Sequence, residues 1–530
     1  MTDRTYLTRR QLLKAIGLTA GATAMYHAMT TLGHAGESPF SGPPVLSGAK
    51  PGTRVLILGA GLAGLLAAYE LRKSGYDVEI LEYQDRAGGR NWTLRRGDQY
   101  TELGGATQRV DFAEGNYFNP GPWRIPHHHR TVLHYCKALG VQLESFIQFN
   151  HNAYIHSTEA FGGKPQRWRE VWSDLQGNLT ELLAKALNEG QLDLPVGVEE
   201  RDQLLQALQG WGLLDGEYRY RSSLQTALRR GYSHAPGGGQ TAPPASGPLL
   251  DLNDLLHPSI WRGLNSQLVY NAQPTMFQPV GGMDQISKAF MRAMDGLPIR
   301  YNARVTHIAQ DNRQVTVTYV PPQGGDATQV SADWCICTLP LPILGQLEFQ
   351  ASDAMLSAIR AIPYSSYTKI GLEFRRRFWE EDDAIYGGTS VTDQEIALIS
   401  YPNDRFMSDG PAVLLAAYTT STKDGLKLTG MTPEERIETA LSQGEKIHPQ
   451  YRKEFLSGVS VGWHRVPWQL GCRARWSDQA RQTHYKALSD IDGRVVLAGD
   501  HVSYTPGWME GAMQSALDSI HRLHQQASAA

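Results

Sequence analysis

Two rhythms of apolar and polar residues run along this chain, and the places where one gives way to the other outline its elements. Val55, Leu56, Ile57 and Leu58 form an unbroken apolar run, as expected of a strand buried on both faces. Gly59, Gly61 and Gly64 follow at GxGxxG spacing, then a helical pattern, then a second apolar run ending at Glu82. Residues 131–230 are mostly helical in pattern, as in RTVLHYCKALGVQLESF. RYNARVTHIAQDNRQVTVTYV alternates apolar and polar residues and predicts two strands around a turn near Asp311-Asn312. Residues 365–420 are rich in strand formers. GRVVLAGDH, Gly493 to His501, repeats the buried-strand-to-turn pattern, and a helix is expected over Met509–Leu523.

The Arg54–Glu82 unit has a specific chemical meaning. The first glycine permits a tight turn, the second lets backbone approach a pyrophosphate, and the third lets helix pack on strand. Ala60 lies inside that turn, and the helix after it points its first amides at bound phosphate. An acid about twenty residues on, here Glu82, suits a ribose hydroxyl. Strand, turn, helix and acid together predict a dinucleotide site. Pieces of this kind lie at both ends and in the middle of the chain. A second domain is therefore expected as an insertion in two parts, with HAPGGGQTAPPASGP as a surface loop or hinge. A length of 530 residues also exceeds one ordinary core.

Composition narrows the partners. Fifty Lys and Arg against 53 Asp and Glu give a net charge of −3, which points neither to nucleic acid nor to disorder. Of four cysteines, Cys335 and Cys337 form a C-I-C pair that is neither a zinc knuckle nor a CxxC redox motif, so buried thiols are expected. His127 to His129 sit in a helix-start pattern without an acid or cysteine at ligand spacing, so solvated histidines are expected and no metal. At the N-terminus, TRRQLLK precedes a mildly apolar run from Ala15 to about Met29 and a small-x-small site at Gly33-His34-Ala35. This resembles a twin-arginine signal peptide, with Leu12 where Phe is common, and is too short and Gly/Thr-rich for a membrane span. Residues 1–35 are thus expected to be a leader for the twin-arginine export machinery, giving a periplasmic or secreted protein.

Whether the dinucleotide is a nicotinamide or a flavin is decided further along. After Glu82 comes RAGGR, Arg86 to Arg90, then YTELGGATQ, then LAGDHVSYTPGWMEGAMQSAL at Leu497 to Leu517. Together these resemble the flavin amine oxidase family, over nearly all of the chain beyond Lys50. The resemblance implies an α/β fold: an FAD-binding Rossmann-like domain of glutathione-reductase type, an inserted α+β substrate-binding domain and a helical subdomain. The expected divisions are FAD-binding parts at 50–125, 276–345 and 471–527, a helical substrate subdomain at 126–275 and a substrate-binding sheet at 346–470. It implies FAD held by Gly59, Ala60, Gly61 and Gly64, by Glu82 at the ribose, and by Arg90 at the phosphates. Gly105, Ala106 and Thr107 should pass close to the isoalloxazine, Val305 should meet the adenine, and Asp500 the pyrophosphate and ribityl region. Met509 opens a helix whose positive end would face the flavin. Cys472 lies where monoamine oxidases bond flavin, but the branch this chain resembles usually has no cysteine there, so non-covalent FAD is expected.

That branch is the L-amino acid oxidases. GPWRIPHHHR resembles their segment in which an arginine pairs the substrate α-carboxylate, a task suited to a planar guanidinium. Arg124 is the expected clamp, and Arg109 is its rival, because GATQRVDFAEGNYFNP intervenes where the arginine usually follows directly. Lys369, in SSYTKIGLEF, resembles the lysine that holds a water near flavin N5. Tyr401, in ISYPND, is a candidate hydroxyl for the carboxylate, and Gly507 and Trp508 are candidates to wall the substrate beside the flavin. Trp463, Trp468 and Trp476 line the same cage or pack the core. The activity implied is FAD-dependent oxidation of an L-amino acid, with the α-hydrogen leaving as hydride, O₂ as acceptor, and a 2-oxo acid, ammonium and H₂O₂ as products. A homo-oligomer is expected. The alternatives are an amine oxidase, an amino-acid 2-monooxygenase, or a non-catalytic flavin-binding protein.

Overall fold

Five short strands build a wholly parallel sheet in the order Ile299–Arg300, Asp77–Leu81, Arg54–Leu58, Trp334–Cys337, Val495–Leu497. The structure is a computed structural model describing residues 40–190 and 197–529, so the expected export leader lies outside the described residues. Arg54–Leu58 is central, with Val55 opposite Val78 on one side and Trp334 on the other. Its apolar run is explained by what covers it. Val55 and Ile57 belong to a core shared with the helices Leu62–Lys73, Gln285–Ala293 and Met509–Ala529. Leu56 and Leu58 belong to a second core with the strands Arg304–Gln310 and Val315–Val320. Each such buried side chain contributes about 1.5–3 kcal/mol relative to exposure. The turn expected at Asp311-Asn312 is present, with the Asp311 carboxylate accepting from the Arg313 and Gln314 amides.

A second lobe surrounds a seven-stranded mixed sheet. Its order is Gln166–Arg167, Tyr154–His156, Thr389–Thr392, Leu398–Ser400, Ala412–Tyr418, Thr368–Phe374, Phe455–Gly462. Thr368–Phe374 is buried along its whole length and pairs antiparallel on both sides, with Lys369 opposite Tyr418 and Val461. Helices Trp168–Asn188 and Pro258–Leu268 pack against it, and Val198–Gly212 and Leu224–Arg230 pack on Trp168–Asn188. The stretch read as mostly helical also holds the strands Leu143–Phe146 and Tyr154–His156, because each finds a distant partner, Met276–Pro279 and Thr389–Thr392. Among the described residues no helix is long and apolar enough to cross a membrane.

Candidate functional site

A cavity of about 610 Å³ opens between the glycine turn of the parallel sheet and the seven-stranded sheet. That volume is in the range of small-molecule and cofactor sites. The glycine turn forms one wall. Gly59 has φ +102°, and a Cβ there would stand 2.5 Å from Thr338 Oγ1. A Cβ on Gly64 would lie 2.0 Å from the Gly59 carbonyl, so only glycine lets the helix sit on the turn. At Gly61 the space is open, and the helix it caps receives no side-chain cap. Its first amides therefore face the cavity, a ready anion site. Gly88 and Gly89 pack onto this turn, the Gly88 amide donating to Ala60 O at 2.8 Å. Buried Glu82 braces it from behind, its carboxylate accepting from the Ala60 and Gln84 amides at 2.7 Å each. Val305 is buried in the core behind this wall and does not line the cavity.

Next to the turn, Arg90 and Asp500 are a closed pair. Arg90 forks onto both Asp500 oxygens and also donates to the Cys472 carbonyl. Burial alone pushes the Asp500 carboxyl upward, but the charge and hydrogen bonds of Arg90 outweigh it and the net shift is down. The Gly507 amide donates to Asp500 at 2.8 Å, which fixes the turn before Trp508. Met509 then opens the long helix with its N-terminal end on the cavity.

The opposite wall is built around residues 120–124. A Cβ on Gly121 would stand 1.9 Å from the Arg90 carbonyl, so a glycine is required for this segment to lie against the RAGGR loop. Trp463 Nε1 donates to Pro120 O at 3.0 Å and Lys369 Nζ donates to Gly121 O at 2.5 Å. The following strand, Ile125–Pro126, is held by Met276–Pro279. Arg124 is thus fixed on both sides. Its guanidinium lies 4.2 Å from the Trp123 ring and 5.2 Å from the Trp508 ring. It makes no hydrogen bond or ion pair among the described residues, and its Nε is buried without a partner. Burial pulls it down to about 10, so it is charged at neutral pH. Lys369 is buried too, 4.4 Å from the Tyr418 ring, and burial lowers its ammonium to about 7.

Several expected site residues lie elsewhere. Gly105, Ala106 and Thr107 are exposed at the tip of the hairpin Gln99–Thr101/Thr107–Arg109 and do not line the cavity. Arg109, on that hairpin, is exposed and pairs with Asp111 at 3.3 Å, so it is no rival to Arg124. The hairpin ends up outside because the chain needs residues 110–119 to travel back to the cavity, where Pro120–Arg124 takes the place expected of Gly105–Thr107. Tyr401 is fully buried away from the cavity, its hydroxyl bonded to Ser390 at 2.6 Å and His448 at 2.7 Å. His448 in turn meets Asp383, so Tyr401 belongs to a structural network in the seven-stranded lobe. The strand ends at Ser400, and the chain turns before Tyr401 can face the cavity. Tyr418 lines it instead. His129 is buried rather than solvated, edge-on to Trp508 at 4.9 Å, and burial with neighbouring positive charge holds it down to about 3. Of the tryptophans left open, Trp463 lines the cavity. Trp468 stacks on Tyr83, and Trp476 donates to the His501 carbonyl.

The cavity also contains residues that the sequence reading missed: Trp123, Tyr367, Tyr418 and Arg473. Trp123 was within reach of it, since it adjoins Arg124 in the same segment. Tyr418 follows from the ladder, being opposite Lys369, but only once that pairing is known.

A family model of flavin containing amine oxidoreductases matches residues 62–519. The L-amino-acid oxidase of Siganus canaliculatus is 30% identical over 477 residues, 89% of this chain and 85% of that protein. The L-amino-acid oxidase of Crotalus adamanteus is 29% identical, over 89% of this chain and 87% of that one. Among solved structures, the cyclohexylamine oxidase from Brevibacterium oxydans IH-35A superposes with a TM-score of 0.59 at 18% identity, covering 90% of this chain and 99% of that one.

Proposed function

This chain belongs to the flavin-containing amine oxidoreductase family and is a flavin-dependent oxidoreductase; from that premise we propose that it binds FAD non-covalently and oxidises L-amino acids. The cavity fits the cofactor. Gly61 leaves backbone bare where a pyrophosphate would lie, Gly88 lines the same wall, and the uncapped amides of the Leu62–Lys73 helix supply donors for it. Glu82 would hold the glycine turn in shape from behind, and the Arg90–Asp500 pair would border the phosphate and ribityl region. The first turn of Met509–Ala529 would place its positive end toward the ring. The bound flavin supplies two-electron acceptance from the amine-bearing carbon and return of those electrons to O₂. The overall reaction takes amino acid, O₂ and water to 2-oxo acid, ammonium and H₂O₂.

One observation carries the choice of an amino acid over a simple amine. Arg124 is a charged guanidinium in the cavity wall with no carboxylate to meet it. A buried charge without a partner is costly, and the α-carboxylate of an amino acid supplies one in bidentate geometry. Trp123 and Trp508 both lie against the guanidinium and limit its movement, which would orient the substrate as well as bind it. Tyr418, Trp463 and Trp508 exclude water around the reacting carbon. Lys369, tethered to Gly121, brings a titratable ammonium near neutral pH into the same space. There it is placed to hold a water for imine hydrolysis and to favour negative charge on oxygen. The experiment is a peroxide-release panel in which each L-amino acid is paired with its decarboxylated amine, with 2-oxo acid measured as product. Amines turned over as well as the acids would overturn the reading, and an amide product would reassign the chain to monooxygenation. Export by the twin-arginine route belongs to the same proposal. Changing Arg9 and Arg10 to Lys together should leave active enzyme in the cytoplasm, and unaltered export would refute it.

A further inference from the structure

The cavity carries a second unneutralised arginine. Arg473 lines it, makes no ion pair among the described residues, and donates a single hydrogen bond, to the Tyr367 hydroxyl at 3.2 Å. Its stem is wedged where a Cβ on Gly507 would lie 2.4 Å from Arg473 Cδ, so it packs directly beside Trp508. Contacts then close a ring. Tyr367 meets Tyr418 edge-on at 6.1 Å, Tyr418 meets Trp123 at 5.3 Å, and Trp123 and Trp508 both carry Arg124. Arg124 and Arg473 both line this one chamber, with Tyr418 between them in that chain of contacts. The acid that borders this cavity is Asp500, and Arg90 already occupies it.

We propose that Arg473 is a specificity residue that receives a second, side-chain carboxylate, so that this enzyme prefers dicarboxylic L-amino acids over neutral ones and rejects basic ones. The inference rests on the reading that Arg124 takes the α-carboxylate. Two cations spaced around one aromatic ring make a site for a molecule with an acid at each end. A guanidinium already tied to a tyrosine hydroxyl is oriented for such a partner, which lowers the ordering cost of binding. A lysine- or arginine-like side chain would meet Arg473 and Lys369 with no carboxylate free to receive it, and like charges in a buried chamber repel strongly.

The test uses the flavin-loaded enzyme and two readouts. In the first, calorimetry compares glutarate and succinate with butyrate as non-reacting ligands. The dicarboxylates should bind at least about 10-fold tighter, as one added charge-assisted pair implies. In the second, kcat/KM is measured for L-glutamate, L-aspartate, L-leucine and L-arginine. The acids should lead and L-arginine should be last. Arg473→Gln should lower the glutamate-to-leucine ratio by about 30-fold and erase the glutarate preference, while Arg473→Lys restores part of both. Should Arg473→Gln fail to fold, the order of substrates and ligands on the unaltered enzyme decides alone. Leucine or arginine ahead of glutamate overturns the inference and leaves the amino-acid reading standing. Loss of flavin retention in Arg473→Gln with the ligand order intact also overturns it, because Arg473 then serves the cofactor. If no amino acid is oxidised at all, the underlying reading fails first.

Discussion

The two arginine-bearing walls of the cavity treat charge in opposite ways. On the glycine-turn side, Arg90 is forked onto Asp500, itself fastened by the Gly507 amide. On the other side, Arg124 stands between two indole rings with no acid beside it. Elsewhere the chain follows the first pattern. Buried Arg436 meets Glu102, Arg230 meets Asp174, and Arg377 meets Glu380. Pairing is therefore how this fold ordinarily meets the cost of a buried cation, and Arg124 departs from it at the mouth of a cavity. A paired charge serves the fold, whereas on the proposed reading the unpaired Arg124 awaits the substrate carboxylate.

The sharpest way to break that contrast is to remove the acid from the paired wall. Asp500→Ala leaves Arg90, three-quarters buried, without its acid, and this class of change costs up to about 3–5 kcal/mol. Thermal unfolding should fall accordingly, and flavin should be lost during purification. A variant that melts like the parent and keeps its flavin would mean the pair contributes little, and the contrast would collapse.

Arg124 should respond in the reverse sense. Arg124→Ala should reduce kcat/KM for amino acids by about 2–5 kcal/mol while sparing the corresponding amines. The ligand-free fold should not suffer. Arg124→Met, which fills similar space without charge, should raise the melting temperature by roughly 1–2 °C, because it removes an unpaired, partly buried cation. A destabilised Arg124→Met variant would show that the guanidinium is part of the scaffold, and the α-carboxylate assignment would lose its support.

How far this contrast could be read from sequence depends on the range of the interactions behind it. The glycine turn, the helix after it and Glu82 were legible because strand, turn and helix chemistry is local. The hairpin Arg304–Gln310/Val315–Val320 was legible for the same reason. The GPWR segment points to Arg124, which the structure sets in the cavity wall, although the sequence leaves the choice between it and Arg109 open. That choice depends on ten intervening residues carrying the chain from an exposed hairpin back to the cavity. Tyr401 and Tyr418 were exchanged for a similar reason. Tyr418 ends one strand of the sheet and Tyr401 directly follows another, but only the Lys369–Tyr418 register shows which hydroxyl shares the cavity with the lysine. Arg473 stayed hidden because its neighbours Tyr367 and Gly507 are more than thirty residues away in either direction.

Lys369 gives a smaller effect that separates the walls by pH. Burial lowers its ammonium to about 7, against about 10.5 for an unfolded lysine. Between those values the unfolded chain binds the additional proton, so stability must rise as pH goes from about 7 toward 10. Below pH 7 both states carry the charge and the dependence vanishes. Lys369→Met should remove this slope, whereas the Arg90–Asp500 wall adds none in that window. The same variant should slow recovery of flavin absorbance in O₂ by up to about 100-fold, more than its anaerobic bleaching by substrate. Parallel pH–stability curves for parent and variant would show that the lysine keeps an ordinary pKa and is not desolvated.

Cys472 sits at the seam of the two walls, and here the expected effect is close to zero. Its carbonyl accepts from Arg90 and its side chain borders the cavity. A thioether to flavin would need the thiol as thiolate, the nucleophilic form. Burial raises this thiol above its ordinary value, and the nearby charges of Arg90, Arg473 and Lys369 only partly offset that. At neutral pH the sulfur therefore stays protonated, as in Cys136 and Cys337, where burial pushes the thiols up to about 12. Those two lie in closed cores, so their protonation has no consequence for a ligand. For Cys472 the expected consequence is that it forms no bond to flavin, which on the proposed reading the glycine turn and the helix ends would hold without it. Acid precipitation should release the flavin into the supernatant, and the pellet should have the polypeptide mass without an adduct. Cys472→Ala should retain flavin as tightly as the parent. A yellow pellet that turns colourless in Cys472→Ala would show that the cations at the seam win over burial, and that the paired wall does not hold the cofactor alone.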